Sequence, residues 1–260
     1  MTLSRTGSRR PGRPLAIVGV VIVLAILAGG AYGLWYLFLQ PAGLASVADA
    51  SLPPLPSSSA AVDASSTPAS TGATSGSLDG TWNVDTSIGS VADGSGTFVG
   101  YRVQEQLASI GANTAVGRTG DVTGSLTLAG TKLTAATITG NLTSLQSDDH
   151  RRDGQLSHQG IETSQFPTAT FTLTSPIDLG SVPADGATFT ASATGQLALH
   201  GVTKDVTIPI KAKRSGAVVV VSGSLPIVFA DYGISKPNSF AVLSIADQGT
   251  MEFQVFFRHA

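Results

Sequence analysis

The chain has 260 residues, 15 Lys+Arg against 17 Asp+Glu, and no cysteine. That length holds one sizeable domain with extensions, or two small domains. The missing cysteines exclude a disulfide framework, a thiolate-ligated metal and a thiol nucleophile, and a net charge of -2 gives no basic field for nucleic acid.

Residues 1–14 carry Arg5, Arg9, Arg10 and Arg13 and no acid, and residues 15–39 are uncharged and mostly apolar. As a helix this run is about 37 Å long, enough to cross a hydrocarbon core of about 30 Å with some tilt. Tyr32, Trp35 and Tyr36 sit near its far end, where amphipathic rings favour the interface. After Arg13 the next basic residue is Arg102, so the expected topology puts the N-terminus in the cytoplasm and everything after Gln40 outside. The alternative is secretion after cleavage of a signal peptide. A signal core is usually about 7–15 residues, shorter than this run, although Ala42-Gly43-Leu44-Ala45-Ser46 offers a cleavage site. Both readings export the rest of the chain.

Residues 40–77 hold ten Ser, nine Ala and five Pro, and no Lys or Arg. No apolar period survives the prolines, and such a segment buries too little to offset ordering entropy. The expectation is a disordered linker.

Residues 78–260 are the candidate globular domain, with a net charge of -4. Its pattern is period 2. Val122, Leu126 and Leu128 alternate with Thr and Ser. Ala136, Ile138 and Leu142 alternate with Thr137, Thr139 and Asn141, Ala169, Phe171 and Leu173 with Thr, and Val206, Ile208 and Ile210 with Asp205, Thr207 and Lys211. Met251, Phe253, Val255 and Phe257 alternate with Glu252, Gln254 and Arg258. One face of each strand is therefore apolar and the other polar and solvated. Ala129-Gly130-Thr131, Ser215-Gly216 and Gln248-Gly249 read as turns between antiparallel neighbours. No long amphipathic helix separates the strands, which excludes βαβ architecture. Residues 146–165 are polar and charged and read as a long crossing connection with a short helical turn. Such a sheet either stacks on another sheet or closes into a barrel, and periodicity alone leaves both open.

Catalytic and metal motifs are sparse. There is no G-x-S-x-G, no Walker pattern and no dinucleotide glycine pattern, and four His are thin material for a hydrolase. Asp148, Asp149, His150, Asp153 and His158 match no metal-binding template. Asn141-Leu142-Thr143 is an N-x-T sequon inside a strand run. The expectation is a chain that is not an enzyme and has no cofactor and no metal.

Four segments carry a family resemblance. Thr194-Gly195-Gln196-Leu197-Ala198-Leu199-His200-Gly201-Val202-Thr203-Lys204-Asp205-Val206 resembles the G-x-L-x-(I/L)-H-G-V-T-K-x-V stretch of the YceI-like family. Gly80-Thr81-Trp82-Asn83-Val84-Asp85 is similar to its opening G-x-W-x-V-D. Arg152-Asp153, Leu156 and Phe166-Pro167-Thr168-Ala169-Thr170-Phe171 match an R-D-x-x-L…F-P-x-x-T-F run, and Asp231-Tyr232-Gly233-Ile234 a D-(F/Y)-G-I element. The chain departs from the pattern at Ile88-Gly89-Ser90, where many members carry His-Ser. It departs again at Gln155, and at Arg102 to Leu107, where family histidines are absent.

The resemblance implies an all-β fold, an extended eight-stranded antiparallel lipocalin-like barrel with a long apolar channel. Here one N-terminal transmembrane helix and the linker would precede it. It also implies an isoprenoid lipid or quinone ligand: a polyprenol, a polyprenyl phosphate or a menaquinone-like molecule. Tyr101, Phe171, Phe229, Tyr232, Phe253 and Phe257 are the candidate apolar contacts, and Arg152 and His200 the candidate polar ones. Arg152 and Asp153 are expected to pair at the barrel mouth. His200 is expected chiefly to pin the turn around Gly201. The competing expectation is a structural or interaction module whose interior is filled by its own side chains.

Overall fold

The computed structural model describes residues 45–47, 52–53, 55, 78–109 and 111–260. Twelve strands form one antiparallel sheet: β1 Gly80–Asp85, β2 Phe98–Leu107, β3 Gly111–Thr119, β4 Val122–Ala129, β5 Lys132–Asn141, β6 Gln146–Ser147, β7 Thr168–Leu173, β8 Ile177–Asp178, β9 Thr188–Leu199, β10 Val202–Ser215, β11 Val218–Val228 and β12 Val242–His259. One short helix, α1, spans His150–Leu156. The order β1-β4-β5-β7-β9-β10-β11-β12 closes on itself because β1 also pairs with β12. The fold is therefore a closed eight-stranded antiparallel barrel. Closure leaves no free edge along the ring.

The 18-residue β12 sets the shape. Its last residues, Phe256–His259, pair with β1, while Val242–Gln254 pair with β2. β2 and β3 thus extend the wall beyond the end of β1, and β6 follows on β3. The gap between β3 and β5 is spanned by residues 142–167. This connection leaves β5, touches β3 through β6, forms α1 and returns beside β5 as β7. It is the crossing connection with a helical turn that the polar run 146–165 led us to expect. Asp149 caps α1 by accepting from the Arg151 N–H at 2.9 Å.

Gln248-Gly249 is not a turn. Both residues lie within β12, where the register to β2 slips between Ile245 and Gly249. A Cβ at Gly249 would stand 2.9 Å from Val103 and 3.0 Å from the Arg102 carbonyl oxygen. The glycine permits a close strand approach at a bulge, a role that sequence cannot separate from a turn.

The polar phase of β12 is solvated at Arg258 but not at Glu252 and Gln254. Glu252 is 0% exposed and Gln254 5%, although both point away from the lumen. Residues 86–97 fold over this outer wall. Gln254 Nε2 donates to the carbonyls of Gly94 and Gly96 at 3.1 and 2.9 Å, and Phe256 N–H donates to Thr97 Oγ1 at 3.0 Å. Glu252 receives Arg102 at 2.9 Å and Arg118 at 2.7 Å, and Arg118 lies over the Phe98 ring at 4.0 Å.

Part of the segment expected to be a linker joins this layer. The Ala45 carbonyl accepts from Arg118 at 2.9 Å, and the Val47 N–H donates to Glu252 at 3.3 Å. Leu52 and Leu55 pack against Val218, Val220 and Phe256. The physical reason is that the outer wall presents apolar side chains and a buried carboxylate here, and these residues supply matching groups. The rest of 40–77 lies outside the described residues. So does the run 15–39, expected to span a membrane. Among the described residues no helix is long and apolar enough to do so.

Candidate binding channel

The barrel interior holds a packed cluster toward one end and a cavity beyond it. Trp82, Val122, Leu126, Leu128 and Phe257 belong to a buried cluster near β1, with the Trp82 indole N–H donating to the Leu78 carbonyl at 3.0 Å. Beyond it lies a cavity of about 460 Å³, within the range of small-molecule sites. Its wall comes from the inward phases of the strands: Val99 and Val103 of β2, Ile138 of β5, Leu197 of β9 and Phe253 of β12 are examples.

Aromatic rings lie along this wall rather than across the lumen. Tyr101 is directly opposite Gly117, and Phe253 directly opposite Gly223. A Cβ at Gly117 would overlap the Tyr101 ring, and one at Gly223 would stand 2.8 Å from Phe253 Cζ. The same holds for Gly195 under Phe171 at 2.6 Å and Gly249 under Phe229 at 3.2 Å. A glycine beside each ring gives it a flat bed, so large apolar side chains line the cavity without plugging it.

One end of the cavity is polar. Arg152, on α1, donates to Glu105 at 2.7 Å and to Asp148 at 2.5 Å. Asn113 donates to the same Glu105 oxygen at 2.7 Å. Burial works against the Arg152 charge, but Glu105 and Asp148 outweigh it and raise the guanidinium above its ordinary pKa. Arg152 does not pair with Asp153. That carboxylate accepts the Ser147 N–H at 3.0 Å and faces His150 at 3.7 Å, because the first turn of α1 directs it toward β6. The Tyr101 hydroxyl is buried without a hydrogen-bond partner, and burial pushes its pKa well above that of an ordinary phenol.

Six of the eight candidate contacts line the cavity: Tyr101, Arg152, Phe171, Phe229, Phe253 and Phe257. His200 and Tyr232 do not. His200 is 8% exposed with φ +52°, and its Nδ1 donates to the Tyr232 carbonyl at 2.9 Å. Its Nε2 faces Glu162 at 3.0 Å, and Phe166 packs on the ring at 4.3 Å. A Cβ at Gly201 would stand 2.8 Å from Phe166, and Lys204 pairs with Asp231 at 3.1 Å. His200 thus ties the β9–β10 turn to the 3-10 helix Phe229–Tyr232 and to the crossing connection, the pinning role expected of it. Ile234, at the end of the same knot, reaches the cavity.

Sequence reasoning missed Glu105 as the partner of Arg152. The signal was present, since Glu105 shares the inward phase of β2 with Tyr101, Val103 and Leu107. An acid in an apolar phase calls for a buried partner. Among the described residues, no group of three or more His, Asp or Glu is placed to hold a metal.

The chain is thus an all-β protein, a closed eight-stranded antiparallel barrel with an apolar-lined cavity inside it. Residues 82–257 match the YceI-like domain, and the chain belongs to that family. Among solved structures, the chain resembles a polyisoprenoid-binding domain from Saccharophagus degradans implicated in plant cell wall breakdown. The identity is 21% and the TM-score 0.53, over 69% of this chain and 98% of that one. It also matches BcnA of Burkholderia cenocepacia, at 20% identity and TM-score 0.47 over 61% and 95% of the two chains. A third match is a YceI protein of Campylobacter jejuni, at 18% and 0.45 over 55% and 84%. No curated protein matches the sequence.

Proposed function

We propose that this chain is a membrane-anchored extracytoplasmic binding protein that holds a long isoprenoid lipid inside its barrel. The carrying observation is the 460 Å³ cavity kept open by rings bedded on glycines. A structural module would fill that space with side chains. The S. degradans relative, described as polyisoprenoid-binding, supports the same ligand class. Each methylene moved from water into such a cavity contributes about 0.8 kcal/mol, so a chain of a few isoprene units binds well with little polar contact. The polar end at Arg152 and Glu105 would meet the head of a polyprenol, polyprenyl phosphate or menaquinone-like ligand. The basic N-terminus followed by the apolar run 15–39 supports an anchor with the barrel outside.

The test is to purify the full chain, extract it into organic solvent and identify the extract by mass spectrometry. The extracted protein is then offered menaquinone and polyprenol. A co-purified isoprenoid, or saturable uptake near one molecule per chain, is the expected result. Repeated extracts without lipid, together with no uptake of either compound, would refute the reading.

A further inference from the structure

Phe240 is 108% exposed and Leu243 67%, the two most exposed large apolar side chains among the described residues. Single apolar residues on a surface are ordinary. These two share one stretch at the cavity rim, where Ser235, Lys236, Ser239 and Ala241 border the lumen. Val228, 41% exposed, ends β11 at the same end of the barrel.

The stretch is braced. Ala108 N–H donates to the Ala241 carbonyl at 2.9 Å, Asn238 N–H to Gln159 at 3.1 Å, and Lys236 Nζ to the Ile245 carbonyl at 3.2 Å. Phe240 and Leu243 are therefore presented to solvent by a held backbone, where exposure of apolar side chains is unfavourable.

We propose that Phe240 and Leu243 insert into the interfacial layer of a lipid bilayer, docking the barrel rim so that a lipid tail passes between membrane and cavity without crossing water. This rests on the lipid-holding reading above. Two side chains form a patch far smaller than the roughly 800 Å² per partner of a stable protein interface, but they suffice for shallow interfacial insertion. The rim charges are mutually paired: Lys236 with Asp247 at 2.6 Å, Arg151 with Asp149 at 3.3 Å and Arg152 with Asp148 at 2.5 Å. Docking is therefore apolar rather than electrostatic, and salt should leave it unchanged.

The absence of cysteine makes single-site labelling clean. Full-chain F240C, and S181C in the exposed loop at the opposite end of the barrel, are labelled with an environment-sensitive fluorophore. Each is reconstituted into phosphatidylcholine vesicles containing nitroxide-labelled lipid. A blue-shifted, quenched label at position 240 with a solvent-like label at 181 is expected; equal quenching at the two positions overturns the docking. In a second arm, Phe240→Ser/Leu243→Ser is loaded with menaquinone from vesicles and, separately, from detergent. Loading from vesicles should slow about tenfold or more, with unchanged final occupancy from detergent. An unchanged vesicle rate overturns the role in loading. If the unmutated chain takes up no isoprenoid by either route, the lipid-holding reading fails, and the labels still decide whether the rim docks.

Discussion

Tyr101 and Gly117 stand opposite each other on β2 and β3, with the Tyr101 ring in the cavity wall. The atoms nearest a methyl on Gly117 belong to the Tyr101 side chain, at Cε1, Cζ and the hydroxyl oxygen. The ring must then swing off the wall, and the free space is the cavity. Gly117→Ala should keep the barrel folded and lower isoprenoid uptake about tenfold, read by titration with a fluorescent polyene analogue. Unchanged uptake would mean that the glycine bed does not set capacity. Glu252 offers the contrast on the outer face of the same wall. It is fully buried between Arg102 and Arg118 and does not face the lumen. Removing its charge takes the counter-charge from two guanidiniums, of which Arg118 is almost fully buried, a loss of about 3 kcal/mol. Glu252→Gln should therefore lower the denaturant midpoint while leaving uptake as it is.

At the scale of elements, residues 45–55 belong energetically to the barrel wherever they are described. Val47 is buried, and Leu52 and Leu55 are half-buried against Val218, Val220 and Phe256. Side-chain burial favours this docking, and Ala45 and Val47 also satisfy Arg118 and Glu252. A chain beginning at residue 78 should unfold about 2 kcal/mol more easily than one beginning at residue 44, and bind more of a dye specific for apolar surface. Equal stability of the two in urea would show the contact to be incidental. Sequence could not reveal this docking, because a Ser/Ala/Pro-rich segment carries no period, and its partner surface lies on the outward phase of β11 and β12, where Glu252 read as solvated. The strands were legible because period 2 records which phase faces inward. The bulge at Gly249 and the cover over Glu252 were not, since both depend on distant chain. The motif residues were legible as a family mark, yet His200, Gly201, Lys204, Asp231 and Tyr232 knot the mouth together and do not line the cavity.

The whole barrel is a ring closed around a space that its own side chains do not fill. Around the cavity the walls therefore lack part of the contacts that a packed core supplies. An apolar ligand provides them in the folded state alone, and mass action raises stability by about 2.7 kcal/mol at a free ligand concentration of 100 Kd. For a domain of this size that corresponds to a rise in Tm of roughly 5–10 °C. Delipidated protein should melt lower than protein saturated with menaquinone by about that amount, in the same buffer and with the ligand concentration held fixed. The increment should persist in Glu252→Gln, whose defect lies outside the lumen and adds independently. It should shrink in Gly117→Ala, whose displaced ring competes with the ligand for the same space. Identical melting of loaded and delipidated protein would mean that nothing in the barrel's folding depends on what occupies its centre, and the cavity would then be a packing defect rather than a binding site.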